Sequence, residues 1–369
     1  MLELIDVTKV TGGQTHIYPT NLKLERGSLN VLLGPTLSGK TTLLRLMAGL
    51  EKPTAGEVRF DGVNVVGMPV QKRNVAMVYQ QFINYPAMTV YDNIASPLKV
   101  AGESAAVIER EVKNVAELMR LTPYLDRLPL SLSGGQQQRT ALARAIVKKA
   151  SLVLLDEPLA NLDYKLREEM REELPKIFAA SGSIFVYATT EPSEALLLGG
   201  NTATLSEGRV SQFGKTISVY RYPQDLITAK TFADPPLNTV RAMKHGNSFT
   251  LAGAVDADGS RLPVPDHLTG VSDGPVTLGF QPHHLSLAAP FAGAPHLLAR
   301  TQISEIAGSE SFIHVMHGKD RWVMLEHGVC DLDPALDINV FLDTRHLMAF
   351  GEDGLALSAR PANTTQQAG

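Results

Sequence analysis

The chain has 369 residues, 44% of them hydrophobic, with a net charge of −4 and a sequence pI near 6.2. That length carries two or three domains, and the acidic balance offers no overall basic field to nucleic acid. A single cysteine, Cys330, excludes an intramolecular disulfide and fits a reducing compartment, while the apolar runs fall short of the roughly 18 residues of a membrane-spanning helix and MLELIDVTK lacks the pattern of a signal peptide.

In chain order the first readable element is the strand LNVLL, which runs into GPTLSGKTT at residues 34–42 and then into the helical TTLLRLMAGL. The stretch fits G-x-x-x-x-G-K-[ST] in the strand, loop and helix setting that the motif requires. Along Gly34, Pro35, Thr36, Leu37, Ser38 and Gly39, the glycines let backbone N–H groups curl around phosphate oxygens at a helix N-terminus. Lys40 adds a fixed positive charge for the outer phosphates, and the hydroxyl of Thr41, followed by Thr42, is placed to ligate Mg²⁺. Chance yields such a string in roughly one or two per cent of chains this long, before the setting is counted.

The strand NVAMVY follows, then a helical pattern through Ile108, Val112, Val115 and Met119. At SLSGGQQQRTALARAIV, Ser133, Gly134 and Gly135 precede an amphipathic helix carrying Leu142, Ala145 and Ile146. Bare glycines there let a phosphate approach a second helix start, and a simple cap explains only the serine. The strand of SLVLLDEPLANLD ends on Asp156, suited to hold a metal through water, and Glu157, suited to polarise an attacking water. The next helix repeats an apolar stripe at Leu166, Met170, Leu174 and Ile177, with a bend or break expected at Pro175. IFVYATTEPSEAL then reads as a buried strand ending in Thr189 and Thr190 at the carboxyl edge of a parallel sheet, where ligands bind. Beyond ADPPLNT the text turns to short strands and turns (NSFTLAG, DADGSRLPV, PVTLGFQP, SFIHVMHGKDRWVML), and PANTTQQAG is a polar tail.

LSGGQ ahead of DEP, with VYQQFINYP between the phosphate loop and LSGGQ, resembles the ATP-binding subunit of an ABC transporter. The resemblance spans about residues 1–235 and implies an α/β P-loop NTPase cassette with a helical subdomain near 86–150. It implies ATP and Mg²⁺ as ligands, with Thr41, Gln80 and Asp156 around the metal, and Lys40, Asp156, Glu157 and Thr190 at the reacting phosphate. Two such cassettes dimerise head to tail, so Ser133, Gly134, Gly135 and Gln136 would serve the nucleotide of the other chain, and Ala160 to Asp163 would form the crossing loop. GFQPHHLSL and ISEIAGSESFIHV are similar to the all-β, OB-like regulatory domain of importers for sugars, polyols and glycerol phosphate, here about 236–360, with 361–369 as the tail. The phosphate-loop and VYQQFINYP regions look most like one of the two ATP-binding subunits of bacterial glycerol importers. The implied partners are a second ATP-binding subunit, two transmembrane permease subunits and a solute-binding protein, at the cytoplasmic face of the inner membrane.

Three positions depart from the family pattern. Leu37 stands where a small residue is usual, Thr11 where an aromatic stacks on adenine, and Thr190 where a histidine meets the γ-phosphate. Tyr18 is the nearest aromatic that takes over the stacking. All three departures fall on the chain's own half-site, whereas LSGGQ is intact, which points to an asymmetric cassette heterodimer. A regulatory subunit that binds ATP but hardly hydrolyses it, and a homodimeric sugar-importer ATPase, are the alternatives. Tyr85, Pro86 and Met88 read equally as core or as an exposed groove for a membrane subunit's coupling helix. Adjacent His283 and His284 suit a shared metal poorly, and Cys330 reads as a small buried hydrophobe.

Overall fold

The computed structural model describes residues 1–81, 83–160, 162–252 and 261–357. Asn161 of the expected crossing loop, residues 253–260, which hold the DADGS run, and the tail at 361–369 lie outside the described residues. Among the described residues, ten strands and six α-helices lie wholly within the unit Met1–Val219. The strands are β1 (Leu2–Thr11), β2 (Gln14–Leu24), β3 (Leu29–Leu33), β4 (Ala55–Phe60), β5 (Val63–Asn64), β6 (Val75–Val78), β7 (Leu152–Asp156), β8 (Ile184–Thr189), β9 (Asn201–Ser206) and β10 (Arg209–Lys215). The helices are α1 (Lys40–Ala48), α2 (Val90–Val100), α3 (Ala105–Leu118), α4 (Gly134–Val147), α5 (Tyr164–Ser181) and α6 (Pro192–Leu198).

One sheet has the order β10-β9-β3-β8-β7-β6, parallel except for the β9–β10 hairpin. Its central strands are buried on both faces, which is why LVLLD and IFVYAT read as unbroken apolar runs rather than alternating ones. A second sheet, β2-β1-β4-β5, is antiparallel, and its inward residues Leu2, Leu4, Val7 and Leu24 share a core with Leu43, Leu44 and Met47 of α1. The apolar spacing read along α3 is realised, with Ile108, Val112, Val115 and Met119 all buried.

Of the bend or break expected at Pro175, the break does not occur: α5 runs through it to Ser181. Proline removes one intrahelical hydrogen bond, but Met170, Leu174 and Phe178 are buried around it and Phe178 stacks on Phe185 of β8 at 3.9 Å. Tertiary packing offsets the local cost. Among the described residues no helix is long and apolar enough to cross a membrane.

The second compact unit, Tyr220–Gly369, begins upstream of the double proline expected to mark the boundary. The short helix Leu226–Thr231 belongs with it because Ala229 packs with Leu237 and Phe350. Among the described residues its strands form two antiparallel five-stranded sheets around Trp322, Phe280, Phe249 and Ile313, an all-β fold. Asn238 ties strands of the two sheets together, donating to the Val323 carbonyl at 2.7 Å and accepting from the Val323 N–H at 2.8 Å. Cys330 is half-buried against this core rather than within it. The rings of His283 and His284 touch edge to face at 4.2 Å, and His284 stacks on His346 at 4.5 Å; burial first, then the two neighbouring imidazoles, hold the His284 pKa down to about 4.

Candidate functional site

Strands β3, β7 and β8 lie side by side, and their register carries three loops to one edge. Leu33 pairs with Thr189, and Asp156 with Ala188. Past the strand ends, the Gly34 N–H donates to the Thr189 carbonyl at 3.3 Å and the Glu157 N–H to the Ala188 carbonyl at 3.0 Å. A cavity of about 690 Å³ opens there, within the usual range for small-ligand sites. Tyr18, Thr36, Leu37, Ser38, Gly39, Lys40, Thr41, Thr42, Gln80, Glu157 and Thr190 line it.

The phosphate loop ends on Gly39, which enters α1 at φ 104 and caps it with no side chain, so the first N–H groups of the helix keep no side-chain partner. Ser38 is buried, and its Oγ has no partner although it lines the cavity. Lys40 is also buried; its Nζ donates to the carbonyls of Gly34 at 2.7 Å and Pro35 at 3.0 Å, and lies 3.9 Å from Glu157 Oε1. Gly34 and Pro35 therefore hold the lysine rather than line the cavity. Burial lowers the Lys40 pKa, and Glu157 and Asp156 pull it partly back.

Asp156 is buried at the end of β7, with its carboxylate accepting a hydrogen bond from the Thr41 side chain. Glu157 follows at φ 46, in the left-handed region, which turns its side chain into the cavity at some backbone cost. Gln80 Nε2 donates to Glu157 Oε2 at 2.9 Å. Burial raises the pKa of both acids, opposed for Glu157 by Lys40 and for Asp156 by Thr41 and then Lys40. An uncapped helix start, an orphaned buried hydroxyl, a captive lysine and a Thr–Asp–Gln set of oxygen donors together fit a nucleotide phosphate chain with a hard cation.

The two threonines after β8 have different fates. Thr189 is buried; its hydroxyl donates to Glu194 Oε2 at 2.6 Å and accepts from the Glu191 N–H at 3.0 Å. Its role is structural, closing the turn that leads into α6. Glu194 in turn accepts from the Tyr187 hydroxyl at 3.0 Å and pairs with Arg171 of α5 at 3.4 Å. Only Thr190 is exposed to the cavity.

Leu37 is 95% exposed at φ 66, which gives the reason a glycine suits that position: a left-handed backbone strains any residue with a Cβ. Thr11, the exposed last residue of β1, is not among the residues lining the cavity. Tyr18 is, but Arg209 lies over its ring at 3.4 Å. Arg209, Glu207, Gly208, Thr15 and His16 also line the cavity and were not legible in the sequence as site residues. The dipeptide Glu207–Gly208 signals only a hairpin turn, with both residues at positive φ.

Ser133 caps α4. Its Oγ accepts from the Gln136 N–H at 3.3 Å while Gln136 Oε1 accepts from the Ser133 N–H at 3.0 Å, a complete capping box. None of Ser133, Gly134, Gly135 and Gln136 is among the residues lining the cavity. Within the same helix, Gln138 Nε2 donates to the Pro158 carbonyl and so ties α4 to the acidic loop. Tyr85, Pro86 and Met88 are exposed, which removes them from the core, and Arg144 lies 4.7 Å over the Tyr85 ring.

A phosphate loop backed by paired acids at the carboxyl edge of a parallel sheet defines a P-loop ATPase. A model of the ABC transporter family matches residues 17–160. The trehalose/maltose import ATP-binding protein of Thermococcus litoralis is 36% identical over 366 residues, covering 95% of this chain and 97% of that one. The sn-glycerol-3-phosphate import ATP-binding protein of Salmonella typhi is 36% identical over 326 residues, covering 88% and 90%. Among solved structures, a dimeric ATP-binding cassette in a post-hydrolysis state bound to ADP and Pi is similar at TM-score 0.55 and 29% identity, over 58% of this chain and 99% of that chain. The chain belongs to the ABC transporter ATP-binding family. It is an ATP-binding cassette and an ATPase, followed by an all-β domain.

Proposed function

We propose that this chain is the ATP-driven motor subunit of an importer for a small carbohydrate or polyol, glycerol in the narrower reading. The observation that carries it is the convergence of Lys40, Thr41, Gln80 and Glu157 on one cavity, with Asp156 bonded to Thr41 behind it, joined to the import functions of the relatives in Thermococcus litoralis and Salmonella typhi. Lys40 fixes positive charge at the outer phosphates, Ser38 and the bare start of α1 supply hydrogen-bond donors, and Glu157, oriented by Gln80, takes a proton from the attacking water. Mg²⁺, when bound, would be held by Thr41, Gln80 and Asp156 and would neutralise phosphate charge. The all-β domain serves a regulatory role, and the chain sits at the cytoplasmic face of the inner membrane, bound to two permease subunits and through them to a solute-binding protein. Exposed Tyr85 and Met88 support a docking groove for a permease helix.

The partner cassette is a non-identical one that carries the switch histidine. A threonine hydroxyl bonds a phosphate oxygen for about 1 kcal/mol but supplies neither the charge nor the proton relay of an imidazole. Leu37 and Thr190 burden this chain's own cavity, while Ser133 to Gln136 are free to serve the partner's nucleotide. Thr190 also supports the second reading, a subunit that binds ATP and hardly hydrolyses it. Purification of the complex from membranes, followed by ATPase assays with glycerol, glycerol 3-phosphate and maltose, tests both. Full solute-stimulated activity with this chain as the sole cassette would sink the heterodimer, and no response to any carbohydrate or polyol would sink the importer reading.

A further inference from the structure

Base recognition has no platform at the expected place, because Thr11 does not line the cavity. The structure supplies another flat surface. Arg209 opens β10 directly after the Glu207–Gly208 turn, and its guanidinium carbon lies 3.4 Å over the Tyr18 ring. Both residues line the nucleotide cavity.

This arrangement is held by a three-way junction. The Tyr18 N–H donates to the Gly208 carbonyl at 2.9 Å, and the Gly208 N–H donates to the carbonyl of Ser38 in the phosphate loop at 3.0 Å. The fit is close: a Cβ on Gly208 would stand 2.3 Å from the His16 carbonyl oxygen. Gly208 thus ties the start of β10 to the phosphate loop and to β2, and the Arg209 guanidinium beside it rests on the Tyr18 ring. A guanidinium flattened on an aromatic ring is planar, rigid and charged, and nucleobases stack on such planes as they do on rings.

We propose that Arg209, backed by Tyr18, is the stacking platform for the base of the bound nucleotide, a specificity role that rests on the ATP-binding reading. Tyr18 then acts through Arg209 as a positioning residue instead of meeting the base itself. The phosphate contacts stay with the loop.

Calorimetric titration of the full-length chain with ATP and, separately, with inorganic tripolyphosphate tests this. Arg209→Ala is expected to weaken ATP roughly 5- to 100-fold, the range of a lost stacking contact, and to leave tripolyphosphate within about twofold. Arg209→Lys keeps the charge but loses the plane, and is expected to behave like Arg209→Ala. Tyr18→Leu, which leaves the guanidinium unsupported, is expected to give a smaller loss of the same kind. Equal losses for ATP and tripolyphosphate in Arg209→Ala would make Arg209 a phosphate contact and overturn the platform. Unchanged ATP affinity in Arg209→Ala overturns it as well, most directly if Tyr18→Leu alone weakens ATP. A wild-type chain that binds neither ligand removes the nucleotide reading itself, a result distinguishable from both.

Discussion

Helices α1 and α4 both start on glycine-containing turns, and they solve the same problem in opposite ways. The start of α1 has no side-chain cap, a buried hydroxyl without a partner at Ser38, and a lysine resting on its own loop's carbonyls. The start of α4 satisfies itself through the reciprocal bonds of Ser133 and Gln136. A helix end left with open donors is a site waiting for an anion, whereas one with a closed capping box is already stable in the free chain. On the proposed function, the first helix start is completed by the chain's own nucleotide. The second is satisfied without a ligand, and the same proposal offers it to a nucleotide on another molecule.

Breaking the first side of this contrast gives the largest effect. Lys40→Ala removes the one lysine among the described residues that line the cavity, and ATP affinity measured by direct titration is expected to fall at least about 100-fold; unchanged affinity refutes the assignment. Glu157→Gln is expected to cut turnover about 10²- to 10⁴-fold while ATP still binds, read as kcat against Kd.

The pH profile sharpens the same point. Burial raises the Glu157 pKa above its ordinary value, so the base is lost to protonation, and ATPase activity falls, at a higher pH than a solvated glutamate would give. Glu157→Gln abolishes that acid limb. A raised carboxyl pKa also means stability that is present at low pH and lost as pH rises through the folded-state value. Glu157→Gln should therefore raise Tm at neutral pH, and the difference should vanish in acid.

On the α4 side, Ser133→Ala removes the cap and is expected to cost about 1 kcal/mol by chemical denaturation, with ATP affinity of the isolated chain unchanged. A loss of affinity there would place Ser133 in the chain's own site and erase the contrast. Leu37→Gly is the smallest change. Relief of the left-handed strain, about 1 to 2 kcal/mol, is offset by about 0.5 to 1 kcal/mol of glycine chain entropy, so a gain between about 0 and 1.5 kcal/mol is expected in the same assay.

The sequence by itself determined what depends on neighbours along the chain. GPTLSGKTT between a strand and a helix, the acids at the end of LVLLD and the stripe on α3 are all local patterns, and each folds as its spacing implies; the reciprocal Ser133–Gln136 capping box goes beyond the serine cap read there. Local pattern left a break open at Pro175, and the helix continues because buried packing around α5 outweighs one missing hydrogen bond. Only the tertiary structure decided which residues meet. The register of β3, β8 and β7 brings Gly34, Glu157 and Thr190 to one edge, sends Thr189 inward to Glu194, and leaves its neighbour facing the cavity. The β9–β10 turn locks onto β2 and the phosphate loop through backbone bonds that carry no residue signature, and so places Arg209 over Tyr18. Periodicity and motif spacing report which face of an element is buried; contacts between distant segments follow from strand order and backbone pairing, which one-dimensional spacing does not encode.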